Sequence, residues 1–326
     1  MRSLSITALL LLCSFVRGSE TSAEKNIKIV SKSWVGAGFF AELRNVVYNL
    51  IYRCDHKVPK TLIVDWTQEF FPYKDDPLSN GWDLYFEPIP SEKVFANRSA
   101  KRPPEPYHDN PHCIERWIQY SAYLPYRQFI HDRLNAYIAI KKEILEKTDA
   151  FFSDNLAGHY CIGIHVRFAA AHSAENPLWN NLKLEDYIRE AQELIAFHKD
   201  ENPKIFLATD SHFVVEAFLK VFDHSQLAFT DAFRAQYDQD PHLIYEKRKY
   251  YLAHPEEFHM RKPGFNGGVM TLIDCLLLSK CHVIVHSLSN VPEFATWFNP
   301  HLQSVFLPKT ATFAPCSCDN LLRFFQ

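Results

Sequence analysis

The chain has 326 residues, enough for two domains of ordinary size, and its 47% hydrophobic residues supply each with a core. With 35 Lys and Arg against 38 Asp and Glu, the formal net charge is −3. The basic excess of nucleic-acid binders is missing, and no nucleic-acid partner is expected. The 26 Phe, 15 Tyr and 6 Trp are read first as core filling, because rings enter cores before they line sugar sites.

Met1-Arg2 opens an apolar run through Leu9, Leu10, Leu11 and Leu12 to Val16, with Gly18 before polar Ser19-Glu20. This is the pattern of a signal peptide over residues 1–18. The run is shorter than the roughly 20 residues of a spanning helix. No stable membrane span is therefore expected, and the destination is the lumen of the endoplasmic reticulum or Golgi, or the exterior, with a type II signal anchor as the alternative. Of the cysteines beyond the signal, Cys161, Cys275 and Cys281 sit in apolar patterns and read as buried thiols. Cys54, Cys113, Cys316 and Cys318 lie in polar or loop settings that an oxidising compartment could bridge. Cys316-Ser317-Cys318 has neither a second pair nor a nearby His at ligand spacing, so no metal site is expected.

From there strands and helices alternate. Ile27–Val30 reads as a strand, and Gly36-Ala37-Gly38 as a turn. The next helix places Phe39, Leu43, Val46, Val47, Leu50 and Ile51 on one stripe, and Thr61–Val64 is a strand ending at Asp65-Trp66. A loop-rich stretch follows to about His112, with Trp82, Tyr85, Phe86 and the sequon Asn97-Arg98-Ser99, and then one helix from about Tyr126 to Glu146. The second half opens with the apolar strand Tyr160–Val166. Then come a helix from Leu184, the strand Lys204–Ala208, a helix Phe213–Phe222, a helix from about Met270 to Ser279, and the strand Val283–Val285. Such alternation builds parallel α/β sheets, whose ligand crevice lies outside the carboxyl ends of the strands. Asp65, His165 with Arg167, Asp210 and Ser287 stand at those ends; each could equally cap the helix that follows.

The order of these pieces resembles the fucosyltransferase superfamily that includes the α1,6-, nodulation and protein O-fucosyltransferases. Gly38-Phe39-Phe40-Ala41-Glu42-Leu43 with Val64-Asp65-Trp66 is similar to its opening glycine turn, helix and strand. Gly163-Ile164-His165-Val166-Arg167 is similar to its His-x-Arg strand, and Phe206-Leu207-Ala208-Thr209-Asp210 to its next strand. The run Ile273 to Cys281 with Ser287-Leu288-Ser289-Asn290 is similar to its last helix and serine-rich turn. The resemblance implies an α/β, GT-B chain: two Rossmann-like domains facing across a cleft, residues 25–155 on the acceptor side and 156–326 binding the nucleotide sugar. It implies a glycosyltransferase that moves fucose from GDP-fucose to a hydroxyl of a glycan or glycoprotein acceptor, inverting the anomeric centre, with no cofactor and no metal. A non-catalytic glycan-binding protein on this fold, or a transferase using another donor such as a UDP-sugar, are the alternatives.

Chemistry assigns the roles. A leaving diphosphate gathers negative charge, which the planar fork of Arg167 can hold through two bonds at once. His165, Asp210, Ser287, Ser289 and Asn290 are candidates for further donor contacts, the last three as a neutral anion cradle at a strand-to-helix junction. By resemblance, Asp274 accepts from guanine N–H groups. Glu42 is the candidate base for the acceptor hydroxyl, or else a helix N-terminal charge. Gly38, Phe39, Asp65, Glu175 and Trp179 are candidates for a sugar or acceptor pocket. The chain departs from the α1,6 and nodulation enzymes after Arg167, where Phe168-Ala169-Ala170-Ala171-His172 replaces a second Arg and a polar run, so one phosphate or sugar contact is missing.

Overall fold

The computed structural model describes residues 27–30, 38–53, 62–67, 71–90, 122–167, 182–232, 234 and 264–307. Two parallel sheets organise them. In the first, β1 (Ile27–Val30) pairs with β2 (Leu62–Asp65). The second contains β3 (Tyr160–Val166), β4 (Pro203–Thr209), β5 (Leu227–Ala228), β6 (Val283–His286) and β7 (Gln303–Phe306), in the order β5-β4-β3-β6-β7. The α/β class is as expected. The chain leaves β3 towards β4 and β5 and then returns to β6 on the other side, so the topological switch lies between β3 and β6. That is where an open parallel sheet binds ligands.

Side-chain alternation sorts the second sheet into two faces. Ile162, Ile164, Val166, Ile205, Leu207, Val283 and Val285 form one core with α5 (Leu184–Phe197) and α6 (His212–Leu219). Cys161, Phe206, Ala208, Ala228 and Ile284 face a larger core. This core is shared with α7 (Gly264–Ser279), α8 (Asn290–Phe298) and the first half's helix α1 (Phe39–Tyr48). Phe40 meets Phe294 at 4.9 Å and Tyr48 meets Trp297 at 6.2 Å between ring centroids. The apolar stripe of α1 is buried as its spacing predicts, with the last turn widened into a π-helix over Asn49–Arg53. Around Phe39 stand Phe40, Trp66, Tyr73, Phe86 and, from the short helix α2 (Trp82–Tyr85), Tyr85, so here the aromatic residues do fill core.

Two elements differ from expectation. The single helix from about Tyr126 to Glu146 is two, α3 (Leu124–Tyr137) and α4 (Lys142–Asn155). Between them β-branched Ile138 and Ile140 take extended backbone: Ile140 bridges to Phe86, Glu87 N–H donates to Ala139 O (2.8 Å), and Lys141 N–H donates to Tyr85 O (3.0 Å). Long-range pairing thereby overrides a helical period. Helix α7 begins at Gly264, ahead of the expected Met270, because the glycines that mask its periodicity are where other elements approach. Helix α3 packs on α8, and α4 on α7.

Two glycines permit close approach. A Cβ on Gly163 would lie 2.9 Å from both Ile284 and Leu278 side chains, between β3 and α7. One on Gly268 would collide with the Tyr85 hydroxyl, which donates to Tyr73 O and to Phe265 O. Gly268→Ala is expected to cost about 1–3 kcal/mol through overpacking, read as a lowered midpoint in chemical denaturation. An unchanged midpoint would mean that Tyr85 does not hold the first half against α7.

Cys161, Cys275 and Cys281 are free buried thiols, as expected. Burial pushes the Cys161 thiol up to about 11, so it is not a nucleophile near neutrality.

Candidate functional site

At the switch point, His165 and Arg167 occupy alternate positions on the face of β3 that carries Cys161, turned towards the large core and the first half. His165 is 6% exposed. The Arg167 Nε is buried and has no acceptor among the described residues. Across the switch, Ser289 stands at the N-cap of α8, yet its hydroxyl makes no capping bond and, among the described residues, is buried without a partner, as is the Asn290 amide oxygen. The first N–H groups of a helix have no intrahelical acceptor, so α8 directs donors and the positive end of its dipole at this crevice. A small cavity opens beside it, lined by Arg127, His286, Ser289, Glu293 and Thr296.

Ser287, just beyond β6, lines the same cavity, and of the three proposed cradle side chains it is the one with a hydrogen bond to Tyr187 of α5. Asp210 at the end of β4 is exposed and leaves the capping of α6 to Ser211, whose hydroxyl accepts from Val214 N–H (3.3 Å). Its capping role is therefore taken by its neighbour.

Asp274 is buried in α7 and not on its exposed side. It accepts from the Thr230 hydroxyl (2.6 Å), and burial pushes its carboxyl up to about 7, against the lowering influence of Thr230 and Arg234. Thr230 lies two residues beyond the pairing of Ala228 with Phe206, hence level with the end of β4. From the strand of Arg167 to that of Thr230 is two inter-strand steps, about 10 Å.

The first half contributes from α1 and the loop after β2. Glu42 is buried in the first turn of α1. Gly38 is the N-cap residue and has no side chain to cap with. Tyr73 supplies that contact: its hydroxyl accepts the Phe39 N–H, within reach of the charges of Arg167, Asp210 and Glu42, and burial raises its pKa. Phe39 itself is enclosed by rings, and only its backbone reaches the site. Asp65 ties the turn after β2, accepting from Thr67 N–H at 3.1 Å. The Tyr73 loop is held on both sides. Lys74 donates to the carbonyls of Thr67, Pro77 and Ser79 at 2.7–2.9 Å, and Asp75 accepts from Phe265 N–H at the start of α7 (3.1 Å). Arg44 of α1 pairs with the buried Glu293 of α8 at 3.5 Å. Glu175 and Trp179 lie outside the described residues.

The model of the family described as nodulation protein Z (NodZ) matches residues 128–313, more than half of the chain. This chain belongs to the NodZ family. Nodulation protein Z of Azorhizobium caulinodans is 23% identical over 193 residues, which are 56% of this chain and 52% of that protein. The chain thus spans about half the length of the curated relative it matches. It is also similar to a crystal structure of a NodZ alpha-1,6-fucosyltransferase co-crystallised with GDP (TM-score 0.48, 16% identity, 86% of this chain and 93% of that one). A further similar structure is fucosyltransferase NodZ from Bradyrhizobium (TM-score 0.47, 18% identity, 83% and 92%).

In this NodZ-family chain, sequence reasoning did not find Tyr73, Thr230, Arg234, Lys74 or Arg127. Arg127 donates to Pro300 O (3.5 Å) and Leu302 O (3.0 Å), and its pKa is pushed down by burial to about 10. No periodic pattern marks these residues; Thr230 and Arg127 matter through contacts far along the chain, and Lys74 through the carbonyls of its own loop. His286, buried and pushed down to about 4, donates from Nδ1 to Ser287 O and accepts the Ser304 hydroxyl at Nε2, which locks β6 to β7. Among the described residues no group of three His, Cys, Asp or Glu is placed to hold a metal, and no helix is long and apolar enough to cross a membrane. The second half does carry one Asp-x-Asp triplet, Asp238-Gln239-Asp240, outside the described residues, so metal independence rests on the resemblance alone.

Proposed function

We propose that the chain is a glycosyltransferase of GT-B arrangement that transfers fucose from GDP-fucose to a hydroxyl of a glycan or glycoprotein acceptor. The observation that carries this reading is the pair of buried, unpartnered donors at the switch point, Arg167 Nε and Ser289 Oγ, beside the N-terminus of α8. A buried donor without an acceptor costs about 1–3 kcal/mol, and a diphosphate in the crevice would relieve both. Family membership supports the sugar and the guanine nucleotide.

In the reaction the acceptor oxygen attacks the anomeric carbon from the face opposite the diphosphate. The sugar–phosphate bond breaks with its electron pair passing to the phosphate oxygen, and the configuration inverts. Arg167 and the α8 N-terminus hold the charge that develops there. Glu42 takes the hydroxyl proton. Neither a cofactor nor a metal takes part. His165 and Asp210 line the donor between diphosphate and base, and the apolar run at the N-terminus supports delivery of the chain to a secretory lumen.

Tyr73 offers its proton to the cleft, since its oxygen already accepts from Phe39. Tyr73→Phe is expected to slow GDP-fucose turnover about 3- to 10-fold, the worth of one neutral hydrogen bond; rates equal to the unaltered protein would remove Tyr73 from the site. The proposal as a whole is tested by thermal-shift and hydrolysis assays with GDP- and UDP-sugars. Equal binding of GDP and UDP, or the absence of turnover with any GDP-sugar while glycans still bind, would refute it.

A further inference from the structure

Thr230 holds two charged groups at once. Its hydroxyl donates to Asp274 Oδ1 (2.6 Å), and its carbonyl accepts from Arg234 Nη2 (2.7 Å). Arg234 Nη1 donates to Ala232 O (3.0 Å), and the guanidinium stands 5.3 Å from the centroid of the Phe229 ring. The carbonyls of Thr230 and Ala232 thus hold the Arg234 guanidinium near the Asp274 carboxylate, each within reach of the other's charge and with no ion pair between them among the described residues. Arg234 Nε is buried with no acceptor among the described residues. Thr230 itself is 3% exposed, so the spacing of the two groups is set by packing and not by solvent.

A cation and a carboxylate held apart at a fixed spacing complement one particular base edge. Guanine shows a carbonyl acceptor, O6, beside N–H donors including the 2-amino group, whereas adenine shows an amino donor where guanine has the carbonyl. We propose that Arg234 is a specificity-determining residue of the donor site, its guanidinium donating to guanine O6 while Asp274, held by the same Thr230, accepts from the adjacent N–H groups. The inference rests on the GDP-sugar reading above and adds to it the residue that selects the carbonyl. It also accounts for the position of this turn, about 10 Å along the sheet from the diphosphate cradle.

The test is binding of GDP, IDP and ADP to the whole chain, by calorimetry or by displacement at millimolar nucleotide. IDP keeps the O6 carbonyl and lacks the 2-amino group; ADP lacks both. Arg234→Met is expected to weaken GDP and IDP by the same factor, about 10- to 100-fold for a charged hydrogen bond, and to leave ADP unchanged. Arg234→Lys, which keeps the charge, should recover most of the loss and controls for folding. An equal loss for all three nucleotides would show a merely structural arginine, and undiminished GDP binding would show that the base is read elsewhere; either overturns the inference. If the unaltered protein fails to prefer GDP over ADP and UDP, the donor assignment itself falls.

Discussion

Arg167→Ala is expected to lower turnover of GDP-fucose about 10²- to 10³-fold, the usual cost of removing one preorganised donor at a developing oxyanion. The magnitude follows from position. The guanidinium stands at the switch point with its Nε buried and without a partner among the described residues, so that atom adds no bond to the stability of the free protein. Arg167→Met should therefore leave the melting temperature unchanged or slightly raised while abolishing most activity. A structural arginine would behave in the opposite way. Arg167→Lys is expected to recover only part of the rate, because a point charge cannot reproduce the two-pronged contact with phosphate oxygens. Steady-state kinetics beside a thermal melt decide the matter; a large fall in stability with little effect on kcat would contradict the role assigned to Arg167.

The second large effect is expected at Asp274, where stability and function pull apart. Its carboxyl titrates near 7 in the folded chain against an ordinary value of 3.8. The folded state consequently binds a proton between those values that the unfolded state has already released. Native stability from this group is present at low pH and is lost as pH rises through that window, reaching its minimum above 7. Asp274→Asn removes the penalty while keeping an oxygen for the Thr230 hydroxyl. It should raise stability by a few kcal/mol above pH 7, from about 1.4 kcal/mol for each unit of displacement, and by little near pH 4. GDP affinity should fall about 10- to 100-fold in the same variant, because a neutral amide cannot replace a carboxylate opposite two N–H donors. In the unaltered protein, GDP binding should weaken as pH drops below 7, approaching tenfold per unit where a single proton must be displaced. Calorimetry in buffers of different ionisation enthalpy measures that proton directly. Affinity that is flat from pH 5 to 8, or undisturbed in Asp274→Asn, would exclude the carboxylate from the base site.

Much of the second half could be read directly from residues. The strand Tyr160–Val166 is apolar at six of its seven positions or glycine, and a buried parallel strand needs just that. Alternation then places His165 and Arg167 on one face whatever the rest of the chain does. The three buried thiols follow from the apolar runs around them. The two-residue β5 and the partly exposed β7 carry too little pattern to be seen, and the break between α3 and α4 depends on a bridge to Phe86, 54 positions earlier than Ile140 in the numbering.

The sequence by itself determined the α/β class, the order of the longer strands and of the helices between them, and the strand-end position of Arg167, because these depend on local period and on residue type. Only the tertiary structure decided that Ser287 bonds Tyr187, that Asp274 is buried, that Tyr73 closes the N-terminus of α1, and that Arg234 stands near Asp274. Each depends on which surface packs against which, and on what burial does to a charge once it is there. A sequence pattern carries no record of either until the chain has closed on itself.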